Sequence, residues 1–105
     1  MKKQLGLALV AMMAASTAAA VAQNSGAATY KAKCEMCHAA DGSGSTPAGK
    51  AMKAPPLSSP AIVKESNTDL IAITKSGKGK MPAYTGKLTD AQVKDVVEYI
   101  RTLQK

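Results

Sequence analysis

The 105-residue sequence is poor in aromatic side chains, since it has no tryptophan, no phenylalanine and only three tyrosines, Tyr30, Tyr84 and Tyr99. A chain of this size buries only about 60% of the surface that its unfolded form exposes, so it needs large apolar groups. Its two cysteines allow one disulfide bridge, whereas small exported domains with a thin core usually carry several. We therefore expect something other than side chains to fill part of the interior.

Histidine is equally scarce, because His38 is the single histidine of the chain. Two cysteines and one histidine cannot supply the four ligands of a structural zinc site. Three tyrosines are also too few for the stacking platform on which proteins bind single-stranded nucleic acid. We therefore expect neither a zinc site nor a nucleic-acid partner.

The N-terminus has the pattern of a secretory signal peptide: two lysines, then the uncharged residues 4–22, which end in Ala-Val-Ala. We expect cleavage before Gln23, so that 1–22 is a signal peptide and 23–105 is one periplasmic domain of 83 residues. A retained membrane anchor is the alternative, because the uncharged stretch is nearly long enough to span a bilayer. After cleavage no stable membrane insertion is expected.

The exported part keeps 12 of the 14 basic residues and all 7 acidic ones, a net charge of +5. Outside the cytoplasm this excess favours an acidic protein partner over nucleic acid.

Local patterns predict short helices joined by loops. A helix is expected over residues 26–37, followed by a loop over 41–49 that is dense in turn-forming residues. Ser59 before Pro60 predicts the start of a short helix that runs to about Lys64.

A further helix is expected to begin at a cap formed by Asn67 or Thr68 and to end at Gly77. The glycine- and proline-containing residues 78–82 that follow predict a loop that presents a side chain.

The last helix is the best specified, because Thr89 and Gln92 have the spacing of a capping box. We expect this helix over Asp90–Leu103. Its apolar residues recur at intervals of three and four and predict one face turned to a core: Val93, Val96, Val97, Ile100 and Leu103.

Cys34-Glu35-Met36-Cys37-His38 is a C-x-x-C-H motif, the attachment site of a c-type haem. Two thiols on one helical turn can each form a thioether to a vinyl group of the porphyrin, and the adjacent imidazole can bind the iron. We therefore predict one covalent haem c with its iron, and the haem would supply the missing buried apolar area at about 25 cal/mol per Å².

Two other interpretations of the cysteine pair are weaker. A thioredoxin-like C-x-x-C is expected near a β-α-β pattern, which the sequence lacks. A disulfide across so short a loop would add little stability, because the stabilisation grows with loop length.

The second axial ligand of the iron is predicted to be Met81. The exported part has three methionines. Met36 lies inside the attachment motif, and Met52 lies in a segment where partial packing is the simpler role. Met81 lies on a glycine-flanked loop, where Pro82 fixes the adjacent backbone; its alternative role is ordinary core filling.

A histidine–methionine pair raises the reduction potential of a haem iron and leaves no open position for substrate or oxygen. The sequence therefore favours electron transfer over catalysis, and we do not expect an enzyme. If Met81 were labile, the iron could instead react with peroxide or bind a gas.

The ring N–H of His38 that faces away from the iron needs a fixed acceptor, because ligand orientation depends on such bonds. The carbonyl of Pro55 is our candidate, with a simple turn as the alternative role of this proline. Leu57 is expected to pack on the same side of the haem.

Several separated motifs occur in a fixed order along residues 26–104. They are Gly26-x3-Tyr30-x3-Cys34, Asp41-Gly42, Pro55-x-Leu57, Gly79-Lys80-Met81-Pro82 and the pair Val96 and Tyr99. Together with C-x-x-C-H they resemble the class I cytochrome c family, in its short bacterial form. The resemblance implies an all-α fold with four or so short helices around one haem, whose N- and C-terminal helices cross at Gly26.

We therefore expect a periplasmic, monomeric one-electron carrier, with a haem subunit of a larger dehydrogenase as the alternative. Six lysines are expected to rim the exposed haem edge and to steer an acidic redox partner, unless they form a merely solvated face. They are Lys33, Lys50, Lys53, Lys78, Lys80 and Lys87.

Overall fold

The computed structural model describes residues 25–105, so the predicted signal peptide lies outside the described residues. Within them the chain forms helices and two isolated β-bridges. The helices are α1 (25–33), α2 (Glu35–His38), α3 (Pro47–Met52), α4 (Pro60–Val63), α5 (Asn67–Ser76) and α6 (Asp90–Leu103). The all-α prediction is confirmed. In the part of the chain that the structure describes, no helix is both long and apolar enough to cross a membrane.

The helix predicted over 26–37 is divided at Cys34, whose φ and ψ of −115° and −34° separate α1 from α2. Hydrogen bonds still bridge the division, since the Cys34 N–H donates to the Tyr30 carbonyl at 2.8 Å and the His38 N–H donates to the Cys34 carbonyl at 2.9 Å. The attachment motif therefore lies on a turn that continues directly from α1.

The loop predicted over 41–49 is wrong in its last third, because α3 begins at Pro47. Thr46 is the cap of this helix: its Oγ1 accepts a hydrogen bond from the Gly49 N–H at 2.9 Å, and Pro47 occupies the first helical position. This is the same cap-and-proline signal that predicted α4.

The cap of α5 is Ser66, whose Oγ accepts from the Asp69 N–H at 3.0 Å, so the prediction of Asn67 or Thr68 is wrong by one or two positions. The Asn67 side chain has another role, because its Oδ1 accepts from Nε of Arg101 at 2.8 Å. The end of this helix at Gly77 is confirmed.

The bounds and the capping box of α6 are confirmed. Thr89 Oγ1 accepts from the Gln92 N–H at 3.1 Å, and Gln92 Oε1 accepts from the Thr89 N–H at 2.8 Å. The predicted apolar face is buried at Val93, Val96 and Val97.

The first and last helices meet at Gly26. A Cβ atom there would overlap the carbonyl of Asp95 and lie 3.0 Å from Cβ of Tyr99, so only glycine allows this approach. Next to this contact the rings of Tyr30 and Tyr99 pack with their centroids 5.3 Å apart. The buried cluster of Tyr30, Cys34, Leu57 and Val96 thus joins α1, α6 and the attachment motif.

Candidate cofactor site

A cavity of about 820 Å³ is lined by residues from all six helices and from the segments that follow α3 and α5. We call the lining contributed by α2, α3 and the residues that follow α3 the attachment wall, and the lining contributed by α5 and residues 78–84 the methionine wall. Its volume falls in the range of about 300–1,000 Å³ that is usual for cofactor pockets. Much of its wall is apolar, including Leu57, Ile62, Leu70, Ile73 and Ile100.

Both cysteines of the C-x-x-C-H motif are free thiols on the wall of this cavity. Cys34 is buried, and burial raises the pKa of its thiol to about 11, with a smaller contribution from Cys37. The sulfur is therefore uncharged at neutral pH. A thioether is uncharged too, so covalent attachment at Cys34 places no charge in this apolar position.

The His38 side chain lies on the same wall, and burial lowers the pKa of its ring below the usual value. The ring is consequently neutral at pH 7 and can offer a nitrogen lone pair to a metal. Its Nδ1 is buried and has no hydrogen-bond partner among the described residues. Pro55 and the buried Leu57 also line the cavity. The hydrogen bond from His38 to the Pro55 carbonyl stays a prediction.

Backbone contacts fix the attachment motif against α3. A Cβ on Gly49 would overlap the carbonyl oxygen of Cys37 and lie 2.5 Å from the carbonyl oxygen of Gly44. Thr46 Oγ1 donates to the Met36 carbonyl at 2.6 Å while it caps α3. Sequence reasoning missed this role of α3, although the Thr46-Pro47 pair signals the helix.

Tyr30 closes the other end of the motif. Its hydroxyl donates to the Ala39 carbonyl at 2.5 Å, and Ala39 has a φ of 68° where α2 ends. The Tyr30 side chain is buried, which raises the pKa of its hydroxyl above the usual value and keeps it a hydrogen-bond donor.

Met81 is half-buried on the wall of the cavity, within the segment that follows α5. A tight turn presents it: the Met81 N–H donates to the Lys78 carbonyl at 2.9 Å, and the Lys78 N–H donates to the Met81 carbonyl at 3.2 Å. Gly77 and Gly79 supply the positive φ values of 78° and 57° that this path requires.

The other two methionines belong to the attachment side. Met52 Sδ lies 3.9 Å from Cys37 Sγ, and the Met36 side chain is 77% exposed. All three methionines line the cavity, Met36 and Met52 as part of the attachment wall and Met81 as part of the methionine wall.

Tyr84 is a further residue of the cavity wall that sequence reasoning missed. Its hydroxyl donates to the Lys33 carbonyl at 2.9 Å, which joins the segment after Met81 to the last residue of α1. No local sequence signal identifies a contact between positions so far apart.

Five of the six predicted lysines lie on the wall of the cavity, and all six are exposed. Lys50 is the exception, on α3 outside the cavity. The ammonium group of Lys87 lies 5.8 Å from the centre of the Tyr84 ring. The rim of the cavity is therefore positively charged.

The residues present fit a covalent haem. Two free thiols and a neutral imidazole lie on one wall, a methionine lies on the other, and apolar side chains line the space between. Thiol and imidazole are the groups of c-type attachment, and histidine with methionine is a known axial pair.

Comparison with known proteins gives a family match over most of the chain. The family model described as cytochrome C oxidase, cbb3-type, subunit III, matches residues 21–100. Cytochrome c-555 of Chlorobaculum thiosulfatiphilum is 44% identical over 78 residues, which cover 71% of this chain and 88% of the relative.

Cytochrome c6 of a Nostoc species is 34% identical over 96 residues, covering 91% of this chain and 84% of the relative. The cytochrome c subunit of a quinone alcohol dehydrogenase from Gluconacetobacter polyoxogenes is 35% identical over 89 residues, covering 73% of this chain and 18% of the relative.

Proposed function

The chain belongs to the class I cytochrome c family, and on this premise we propose that it is a periplasmic one-electron carrier with His38 and Met81 as axial ligands. Membership of this family establishes the cytochrome c fold, one covalently bound haem c with its iron, and electron transfer through that haem. The ligand pair, the compartment and the partners are the parts that we propose.

In this proposal four residues of the cavity have separate tasks. Cys34 and Cys37 would hold the haem through thioethers, and His38 and Met81 would bind its iron. When bound, the haem supplies a one-electron iron couple, whose potential a methionine ligand raises. The apolar wall excludes water from the haem faces.

One observation carries the proposal: the attachment motif and Met81, far apart in the sequence, lie on the wall of one cavity. If His38 and Met81 both bind the iron, no position on it remains for substrate or oxygen. The proposed ligation therefore supports a carrier and not an enzyme.

The charged rim supports an acidic redox partner, because opposite charges accelerate diffusional encounter. Lys33, Lys53, Lys78, Lys80 and Lys87 are exposed around the cavity, and residues 23–105 have a net charge of +5. Ferricyanide, a small anionic oxidant, should react more slowly as ionic strength rises, since salt screens attraction between exposed charges. A rate independent of ionic strength would count against steering.

A haem subunit of a larger dehydrogenase is the second candidate, supported by the similarity to a dehydrogenase subunit of which this chain covers 18%. Size determination of the protein purified from its source distinguishes the two. A carrier runs as a free monomer, and a subunit co-purifies with a larger protein.

The test of the proposal is export from a host with haem-ligation machinery, followed by mass spectrometry and potentiometry. We expect residues 23–105 plus one haem, and a one-electron Nernst curve with a positive midpoint potential. A chain that retains residues 1–22 would contradict the predicted cleavage and favour a membrane anchor, and a strongly negative midpoint would contradict methionine ligation.

A further inference from the structure

Tyr84 is the side chain that connects the two walls of the cavity. Its hydroxyl donates to the Lys33 carbonyl at 2.9 Å across a separation of 51 residues. Lys33 directly precedes Cys34, and Tyr84 lies three residues after Met81. One hydrogen bond therefore links the immediate neighbourhoods of the first attachment cysteine and of the predicted methionine ligand.

The backbone of Tyr84 is firmly anchored to α5 and to the next turn. Its N–H donates to the Thr74 carbonyl at 3.1 Å, and its own carbonyl accepts from the N–H groups of Lys87 at 2.9 Å and Leu88 at 3.0 Å. Thr85 adds a second pair of bonds to α5, from its N–H and its hydroxyl to the Lys75 carbonyl. Tyr84 can therefore transmit the position of α1 to the chain that carries Met81.

The turn between Gly77 and Met81 is closed by the two hydrogen bonds between Lys78 and Met81, but its middle residues have few other contacts. Lys78, Gly79 and Lys80 are exposed, and a Cβ at Gly79 would meet no atom within 4 Å. A segment with an exposed turn and few packed neighbours opens at low free energy. The position of Met81 then depends strongly on the anchored residue that follows it.

We propose that Tyr84 is a positioning residue that keeps the Met81 segment closed over the iron through its hydrogen bond to the Lys33 carbonyl. This inference rests on the proposed His38–Met81 ligation. In the open form of the segment the methionine–iron bond is broken and an external ligand can bind. The hydroxyl shifts the equilibrium toward the closed form because its bond to Lys33 exists only there.

Tyr84→Phe keeps the aromatic ring and removes the hydroxyl. Imidazole competes with Met81 for the oxidised iron, so its apparent affinity reports the open population. We expect Tyr84→Phe to raise that affinity about threefold to tenfold, the change that loss of one ordinary hydrogen bond permits. The absorption band of the methionine–iron bond should disappear at lower denaturant concentration than in the wild type, ahead of the loss of helix.

Thr102→Val is the matched control. It removes a hydroxyl that donates to a backbone carbonyl, that of Tyr99, but Thr102 is exposed on α6 and does not line the cavity. Thr102→Val should leave the affinity for imidazole within twofold of the wild type. Equal affinities for imidazole in the wild type and Tyr84→Phe would overturn the proposal, and so would equal increases in both variants.

The same experiment separates this inference from the ligation on which it rests. If the oxidised wild type lacks the methionine–iron band, the proposed ligation fails. If the band is present and Tyr84→Phe binds imidazole like the wild type, only the role of Tyr84 fails.

Discussion

On one side of the haem cavity a helix lies against the attachment motif with a glycine at the contact, whereas on the other side individual side chains hold the elements together. Gly49 of α3 leaves no room for a Cβ atom beside the Cys37 carbonyl. Elsewhere, Arg101 joins α6 to the start of α5 through Asn67, and Tyr84 joins the segment after Met81 to the end of α1, both over long sequence separations.

This difference assigns different tasks to the two walls. The attachment wall holds the haem through permanent covalent bonds, so close backbone packing can keep the attachment motif in one position. The methionine wall supplies a ligand through a reversible bond, and its position depends on a few polar contacts. Added side-chain volume should therefore destabilise the attachment wall, and the loss of single hydrogen bonds should destabilise the methionine wall.

The largest decrease in the free energy of unfolding is expected from Gly49→Ala. The new Cβ would collide with backbone carbonyls of Cys37 and Gly44 that cannot move aside like a flexible side chain. We expect a loss of roughly 2–4 kcal/mol in the free energy of unfolding, measured by denaturant titration.

Gly79→Ala is the matched control on the other wall, where no atom lies within 4 Å of the added Cβ. A φ of 57° strains alanine in the folded state, but alanine also lowers the conformational entropy of the unfolded chain, which offsets part of the strain. We expect Gly79→Ala to lower the free energy of unfolding by about 1 kcal/mol. Equal losses in the two variants would show that the walls do not differ in packing.

A smaller effect is expected from Arg101→Lys. The Arg101 guanidinium donates to Asn67 Oδ1 at 2.8 Å, to Gln104 Oε1 at 3.0 Å and to the carbonyls of Val63 and Glu65. Lysine cannot reproduce this planar set of donors, so we expect a loss of about 1–2 kcal/mol by denaturant titration.

Lys94→Arg is the control for Arg101→Lys, since residue 94 is exposed on the same helix. Its effect should stay within about 0.5 kcal/mol. If Arg101→Lys were equally neutral, the hydrogen bonds of Arg101 would add nothing to the packing between α5 and α6.

The smallest effect is expected from Lys75→Met. Lys75 Nζ and Asp90 Oδ1 are 2.9 Å apart and connect α5 to the start of α6, but the two side chains are 38% and 87% exposed. We expect a loss of about 0–0.5 kcal/mol that shrinks further at high salt. Lys64→Met tests the removal of an exposed lysine without this partner, and a loss above about 1 kcal/mol for Lys75→Met alone would contradict the expectation.

Sequence alone predicted the elements whose signals are local. The capping box of α6 uses Thr89 and Gln92, three residues apart, and both of its hydrogen bonds are present. The position of Gly77 at the end of α5 was equally readable, because a single residue supplies the required backbone conformation.

Of the features that were not predicted, two have local signals and one depends on distant residues. Ser66 caps α5 through the Asp69 N–H three residues later, whereas the Asn67 side chain accepts from Arg101, 34 residues away. The start of α3 was obscured by glycine and serine, although Thr46 and Pro47 mark it. The Tyr84–Lys33 bond spans 51 residues and follows only from the folded chain.

The most direct test of the account is the far-red absorption band that marks a methionine–iron bond in oxidised c-type haem, recorded for the wild type, Met52→Ala and Met81→Ala at neutral pH. Met52 lies on the attachment wall, with its Sδ 3.9 Å from Cys37 Sγ, whereas Met81 lies on the methionine wall. We predict the band in the wild type and in Met52→Ala, and its loss in Met81→Ala. A wild type without the band, or a band that disappears in Met52→Ala and persists in Met81→Ala, would contradict the account.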